Sequence, residues 1–238
     1  MQDEGLLRAL ALVDVDGLVV GSDLEYRRDL SWPAPLAESC GLGEGSRDLR
    51  SVVRALKPTA LVGASGAPGA FTEAAVREMA RHAARPLVFP LSNPTSQAEA
   101  TPADVLAWTD GRALVATGSP FAPVKLAGRR VRISQGNNAF VFPGVGLGAL
   151  VAEAREVTDA LFAAAASALA AEVSAADLAE GILFPPMGQL RRVTARVAET
   201  VVREAREQGL GRALPDAEIP GAVAAAMWEP VYPALEPV

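Results

Sequence analysis

The chain has 238 residues, of which 50% are hydrophobic and 21% charged, and a globular domain of this size needs no disulfide or metal to fold. Its net charge of −6 argues against nucleic acid or an anionic membrane as the main partner. One cysteine, Cys40, and one histidine, His82, exclude a disulfide framework and a histidine-rich metal site. No apolar run approaches the about 20 residues of a membrane span, and the acidic N-terminus is unlike a secretory signal. We therefore expect a cytoplasmic protein.

The first 148 residues alternate between apolar runs typical of strands and amphipathic segments typical of helices. We predict five strands, near residues 10–20, 59–62, 86–89, 113–116 and 131–134. The first strand ends in a turn at Asp16-Gly17, and residues 21–45 are predicted as loop. Helices are expected to begin at the N-caps Ser46, Thr72 and Thr101. Strands that alternate with helices predict an α/β fold with a Rossmann-like, doubly wound parallel sheet.

Residues 149–238 are predicted to be helical and to belong to one domain with the sheet-bearing residues 1–148. An Ala-rich helix is expected over about residues 151–173, after irregular chain at residues 140–143. Ser174 is expected to cap a short helix. Residues 188–208 are predicted as an amphipathic helix that buries Leu190, Val193, Val197 and Val201.

A glycine-rich loop, residues 63–69, follows the second predicted strand and precedes a helix. Backbone N–H groups at such a position suit a phosphate or a carboxylate. However, the spacing GxxGxxG is not the dinucleotide-binding fingerprint. A tight turn that needs small residues explains the loop equally well, so both interpretations stay open.

Two loops that carry amides follow predicted strands. Ser92-Asn93-Pro94-Thr95 leaves the third strand, and Gln135-Gly136-Asn137-Asn138 follows the fifth. Ligands of open parallel sheets bind beyond the carboxyl ends of the strands, so we expect Asn93 and Asn138 to face one crevice. Asn-Pro is also an ordinary turn former. Amides can orient a carboxylate, hydroxyl or carboxamide, but they do not transfer protons by themselves.

Several motifs, in order along residues 12–211, resemble those of the C-terminal NAD(P)-binding domain of malic enzymes. The motifs are VDVDGL at 13–18, KPT at 57–59, GAS at 63–65, GAFT at 69–72, PLSNPT at 90–95, ATGSPF at 116–121, GNN at 136–138 and FPGVGLG at 142–148. The resemblance implies roles for the matching residues. Asp14 would contact the adenosine ribose, and Gly63, Ala64 and Ser65 would line the path of the cofactor. The predicted catalytic amides are Asn93 and Asn138, with Ser92, Thr95, Asn137 and Phe140 as substrate-binding residues and no metal ligand.

The chain also departs from that family. The family's general-acid tyrosine, general-base lysine and acidic metal ligands precede the matching segment, and no glycine-rich phosphate turn precedes Asp14. Malate oxidation and decarboxylation need a base, a divalent metal and an acid. We therefore expect no malic enzyme activity from the chain by itself, and no NAD(P) binding or only weak binding. Asp14 and Asp16 would repel a 2′-phosphate, which favours NAD over NADP.

Three functions fit these departures, and Met1 with a coherent tail leads us to expect a complete gene product. We place first a repurposed enzyme that catalyses a cofactor-independent cyclisation or isomerisation of a small organic substrate. The second is an NAD(P)-binding partial subunit that needs a partner for catalysis, and the third is a non-catalytic binding module. A shortened domain of this kind would expose a sheet edge and an apolar face, so we expect a homo-oligomer, most simply a dimer.

Overall fold

The computed structural model describes residues 9–21, 28–229 and 231. The chain divides into two compact units, the first ending at Gly136 and the second beginning at Asn137. The first unit carries the strands, and the second is helical. The expected change of structure at residue 148 within a single domain stays a prediction. No helix in the described ranges is both long and apolar enough to cross a membrane.

A four-stranded parallel sheet in the order β3–β4–β5–β8 is the centre of the first unit. The strands of this unit are β1 Val13–Asp14, β2 Gly17–Leu18, β3 Ala60–Gly63, β4 Leu87–Pro90, β5 Leu114–Thr117, β6 Val124–Leu126, β7 Arg129–Val131 and β8 Ser134–Gln135. In register, Ala60 lies opposite Leu87, and Leu87 lies opposite Leu114. The predicted α/β class is confirmed.

Two of the five predicted strands differ from the structure. The first is an antiparallel hairpin outside the parallel sheet, in which Val13 pairs with Leu18. The chain reverses there at Gly17, whose φ of +100° favours glycine and whose Cβ would lie 2.4 Å from the carbonyl oxygen of Arg47. The predicted fifth strand is divided, since Val131 ends a second hairpin, β6–β7, and Ser134 begins β8.

The helices of the first unit are α1 Ala34–Ser39, α2 Leu49–Leu56, α3 Glu73–Ala80 and α4 Pro102–Trp108. The predicted caps Thr72 and Thr101 are confirmed, because each accepts a hydrogen bond from an N–H three residues later. The cap of α2 is Asp48 rather than Ser46, since the Asp48 side chain accepts from the Ser51 N–H at 3.2 Å. α1 replaces part of the predicted loop. Its prolines precede or occupy the first turn, where proline is tolerated.

The helices pack on the sheet through apolar side chains. The buried cluster contains Val53, Leu61, Phe71, Val76, Met79, Val88, Ala100, Val105, Leu106, Ala113 and Val115. The hairpin β1–β2 contributes to a separate cluster around Trp32, which is 1% exposed. These apolar contacts hold the helices against the sheet.

The second unit consists of α5 Phe142–Ala152, α6 Asp159–Ala171, α7 Ala175–Ala179, α8 Leu190–Glu207 and α9 Ile219–Ala226, with short 3-10 helices at 138–140 and 187–189. The inward face predicted for α8 is confirmed, because Val193, Val197 and Val201 are 0% exposed and Leu190, partly buried, packs against the same core. The Ser174 cap is also confirmed by its bond from the Asp177 N–H.

The long Ala-rich helix predicted over residues 151–173 is wrong. α5 begins at Phe142, in the segment predicted to be irregular, and ends before Glu153, which adopts a left-handed conformation with φ of 51°. α6 then starts after Thr158. The glycines of α5 suggested loop, but Gly144 and Gly148 bring the helix close to α8, where their Cβ atoms would lie 2.6 and 2.7 Å from valine side chains.

Candidate ligand site

The loops that leave β3, β4 and β5 share one end of the parallel sheet. β3 leads into the glycine-rich loop 63–69, β4 into residues 92–95, and β5 into Gly118 and Ser119. Because the strands are parallel neighbours, all three loops lie at their carboxyl ends. Ligands of open α/β sheets bind at this end, so these loops form the candidate site.

A buried carboxylate, that of Glu99, joins the first two loops. Its Oε1 accepts hydrogen bonds from the N–H and the hydroxyl of Ser65, each 2.8 Å long, and from the Ser92 hydroxyl at 2.5 Å. Its Oε2 accepts a longer bond of 3.4 Å from the Ser92 N–H. Glu99 is 0% exposed, so it fixes both loops from the interior.

The pKa of Glu99 lies below the ordinary value of a glutamate. Burial raises this pKa by disfavouring the charged form, but hydrogen bonds from Ser92 and Ser65 stabilise the carboxylate and outweigh burial. Glu99 is therefore ionised at neutral pH, and its oxygens are occupied by donors. In this state it positions the loops and does not act as a general acid or base.

Gly63 provides the space for this carboxylate. A Cβ atom at residue 63 would lie 2.6 Å from Cδ of Glu99 and 2.7 Å from Cζ of Phe71. The N–H groups of Ser65 and Gly66 donate inward, to Glu99 and to the Ser92 hydroxyl at 2.8 Å. Packing thus explains the glycine, and these two N–H groups are not directed at a phosphate. Ala64 and Ser65 themselves are exposed on the loop.

Asn93 is exposed beside the buried Ser92, and its amide is held by two neighbours. Its Nδ2 donates to the carbonyl oxygen of Leu91 at 3.2 Å, and its Oδ1 accepts a hydrogen bond from the Ser119 hydroxyl. Thr95, also exposed, begins the 3-10 helix of residues 95–97. The site therefore brings hydroxyl and amide groups together at the carboxyl ends of β4 and β5.

Asp14 lies at the end of β1, on the hairpin rather than on the parallel sheet. Its Oδ1 accepts a hydrogen bond of 2.9 Å from the Asp16 N–H, which closes the turn into β2. The contact with a ribose that the resemblance implies for Asp14 stays a prediction.

The remaining predicted residues belong to the helical unit. Asn137 caps the 3-10 helix 138–140 by accepting from the Ala139 N–H at 2.9 Å, and Asn138 is exposed. Phe140 is 0% exposed and belongs to the core of that unit. A crevice shared by Asn93 and Asn138 stays a prediction. Among the residues that the structure describes, no three histidine, cysteine or acidic side chains are grouped as metal ligands.

Two residues of the site were not predicted from the sequence as site residues. Glu99 is separated from Ser65 by 34 residues, and only its position between two alanines, Ala98 and Ala100, hints at a buried charge. Ser119 belongs to the motif ATGSPF, but nothing in the motif shows that its hydroxyl reaches Asn93. Both contacts depend on the pairing of strands, which local sequence does not specify.

Comparisons with known proteins agree with this architecture, which is that of a Rossmann-like α/β domain. The family model "Malic enzyme, NAD binding domain" matches residues 2–206. The chain therefore belongs to the malic enzyme family, within its NAD-binding domain. It is 43% identical over 240 residues to an NAD-dependent malic enzyme of Aeromonas hydrophila, which covers 98% of this chain and 42% of that protein. An NAD-dependent malic enzyme of Vibrio parahaemolyticus is 47% identical over 184 residues, covering 77% of this chain and 33% of that protein.

Solved structures show the same fold at lower identity. The malic enzyme of Entamoeba histolytica has a TM-score of 0.66 and 20% identity, covering 91% of this chain and 41% of that one. The malic enzyme of Pyrococcus horikoshii has a TM-score of 0.60 and 24% identity, covering 88% and 43%. The matched segments thus cover between 33% and 43% of the length of these malic enzymes.

Proposed function

We propose that the chain is an NAD-binding part of an oxidoreductase related to malic enzymes, and that malate oxidation requires residues outside these 238. The observation that carries the proposal is the pair of loops tied by Glu99, which presents Asn93 at the carboxyl ends of β4 and β5. This is where α/β domains bind dinucleotides. The match to NAD-dependent malic enzymes over 98% of the chain supports NAD as the ligand.

Asn93 at the candidate site and Asp14 on the separate β1–β2 hairpin carry groups of the kind that bind the two ends of a dinucleotide. Asn93 is exposed and retains an N–H that can donate to a carboxamide or a carboxylate, and the half-buried carboxylate of Asp14 has oxygens of the kind that bind ribose hydroxyls. A nicotinamide dinucleotide supplies hydride-transfer chemistry when bound. The role of the chain's own residues in this proposal is to bind the dinucleotide and to orient it. Ser119 holds the Asn93 amide, and Glu99 holds the loop that carries Ser65.

The proposed function predicts that the chain binds NAD⁺. The binding should be weak, because two N–H groups of loop 63–69 donate to Glu99 and Ser92 and are not available to a phosphate. Calorimetry with millimolar NAD⁺ should show binding, and Asn93→Ala should weaken it about 2- to 10-fold through the loss of one hydrogen bond. The control is Ser96→Ala, which changes an exposed serine of the following 3-10 helix and should bind NAD⁺ as the wild type does.

The same protein mixed with malate, NAD⁺ and a divalent metal should produce no NADH. Production of NADH by the purified chain would contradict the proposal, as would a wild type with no affinity for NAD⁺.

A cofactor-independent cyclisation or isomerisation of a small organic substrate is a second candidate. It is favoured by the inward direction of the Ser65 and Gly66 N–H groups, which donate to Glu99 and to the Ser92 hydroxyl. Such a site would act by shape and by hydrogen bonds from Asn93. Binding of uncharged organic compounds with no affinity for NAD⁺ would favour it over the first candidate.

We also propose that the chain self-associates. Large apolar side chains are exposed in both units, among them Val62 on the edge strand β3 at 60%, Phe142 at 58% and Leu150 at 78%. Exposed edges and apolar patches are usually covered by a partner. Light scattering at high protein concentration should give the mass of a dimer, and Leu150→Glu should shift it towards the monomer. A monomeric mass at every concentration would refute this proposal.

A cytoplasmic location is supported by the single cysteine, Cys40, which is consistent with a reducing compartment.

A further inference from the structure

The orientation of the Asn93 amide follows from its two neighbours. The carbonyl oxygen of Leu91 can only accept a hydrogen bond, so the Asn93 atom 3.2 Å from it must be Nδ2. Oδ1 then faces the Ser119 hydroxyl, which can donate to it. Exchanging the positions of Nδ2 and Oδ1 would place the Asn93 Oδ1, an acceptor, against the carbonyl oxygen of Leu91, which is also an acceptor. The Leu91 carbonyl oxygen therefore selects one of the two orientations of this side chain, and in that orientation the Ser119 hydroxyl donates to Oδ1 and holds the amide in place.

The loop that carries Ser119 is itself fixed. The Thr117 hydroxyl donates to the carbonyl oxygen of Ser119 at 2.9 Å. The side-chain amide of Gln135 donates to the carbonyl oxygen of Gly118 at 3.2 Å. Gly118 allows the close approach, because a Cβ there would lie 2.0 Å from the Leu91 oxygen and 2.7 Å from Nδ2 of Asn93. The backbone of residues 118 and 119 is therefore fixed by hydrogen bonds where the Ser119 side chain contacts Asn93.

We propose that Ser119 is a positioning residue that fixes the Asn93 amide so that its remaining N–H meets the ligand. The group bound at this point is then an acceptor oxygen, as in the carboxamide of a nicotinamide or in a carboxylate. The ligand part of this inference rests on the proposed function, whereas the orientation of Asn93 does not. Ser119 does not touch the ligand and acts through Asn93.

The orientation is tested without a ligand by the side-chain amide signals of Asn93 in ¹H–¹⁵N spectra, which are assigned by their loss in Asn93→Asp. Ser119→Ala should move both proton signals of Asn93 and speed rotation of the amide. Ser119→Thr keeps the hydroxyl and should restore signals close to those of the wild type. Ser96→Ala should leave them unchanged. Unchanged Asn93 signals in Ser119→Ala would overturn the positioning role.

The ligand is tested by calorimetry with NAD⁺ and, separately, with L-malate. Ser119→Ala should weaken the binding of the ligand that meets Asn93 about 2- to 10-fold, and Asn93→Asp should weaken it more because it replaces a donor by an acceptor. A loss confined to NAD⁺ identifies the carboxamide, and a loss for malate identifies a carboxylate. Wild-type affinities retained by both variants would overturn the acceptor assignment. If the wild type binds neither probe, the proposed function fails, while the amide signals still decide the role of Ser119.

Discussion

Replacing Gly148 with alanine is expected to destabilise the helical unit by about 2–3 kcal/mol, although alanine is the better helix former by about 1 kcal/mol. The Cβ added at Gly148 would lie 2.7 Å from Cβ of Val201 and 2.8 Å from the carbonyl oxygen of Ala198. Neither atom can move by a side-chain rotation, so α5 and α8 must separate. Thermal unfolding followed by helical circular dichroism should show a fall in Tm of about 4–12 °C.

The same helix offers a matched control. Gly146 lies in α5, half a turn from Gly148, and no atom lies within 4 Å of a Cβ built there. Gly146→Ala should therefore stabilise the unit by about 0.5–1 kcal/mol. Hydrogen exchange of α5 and α8 amides should rise in Gly148→Ala and not in Gly146→Ala. Equal effects of the two substitutions would show that close packing of α5 on α8 is not what requires glycine.

These glycines also show why part of the fold could not be predicted from the sequence. The caps Thr72, Thr101 and Ser174 depend on residues three positions away, so local chemistry is enough to find them. α5 has no polar side chain and therefore no amphipathic period, and its glycines are typical of loops. Its existence depends on contact with α8, some fifty residues later, which local patterns do not contain.

The candidate site, like the fold, could be predicted from the sequence only in part. The position of Asn93 after β4 follows from the alternation of strands and helices, because parallel strands direct their following loops to one end of the sheet. The contacts of Glu99 with Ser65 and of Ser119 with Asn93 cross between strands, over 34 and 26 residues. They depend on strand order and register, so the sequence predicts where the site lies but not what holds it.

Replacing Glu99 with alanine is expected to lower the free energy of unfolding of the sheet-bearing unit by about 3 kcal/mol or more. The buried hydroxyl of Ser92 would lose its acceptor, and a buried group left unpaired costs about 1–3 kcal/mol. The exposed Ser65 would lose two hydrogen bonds to a charged group, for which water compensates in part, and removal of the buried Glu99 side chain would leave a cavity. Glu99→Gln keeps one acceptor oxygen and should cost about half as much. Glu73→Ala removes an exposed carboxylate that pairs with Arg77, so it should cost less than about 1 kcal/mol in urea unfolding.

The pH dependence of the free energy of unfolding distinguishes the contribution of the Glu99 charge from the contribution of the size and packing of its side chain. Because folding lowers the pKa of Glu99, its stabilising contribution is fully present above the pKa of the unfolded state, about 4.3, and is lost as the pH falls through the lower folded-state value. The difference in unfolding free energy between the wild type and Glu99→Gln should be constant from about pH 7 to pH 6 and should shrink below about pH 4. A difference that does not change with pH would mean that folding leaves the pKa of Glu99 unshifted. A difference that grows as the pH falls from 7 would mean that Glu99 is protonated in the folded protein, and that a neutral carboxyl group holds the loops of Ser65 and Ser92.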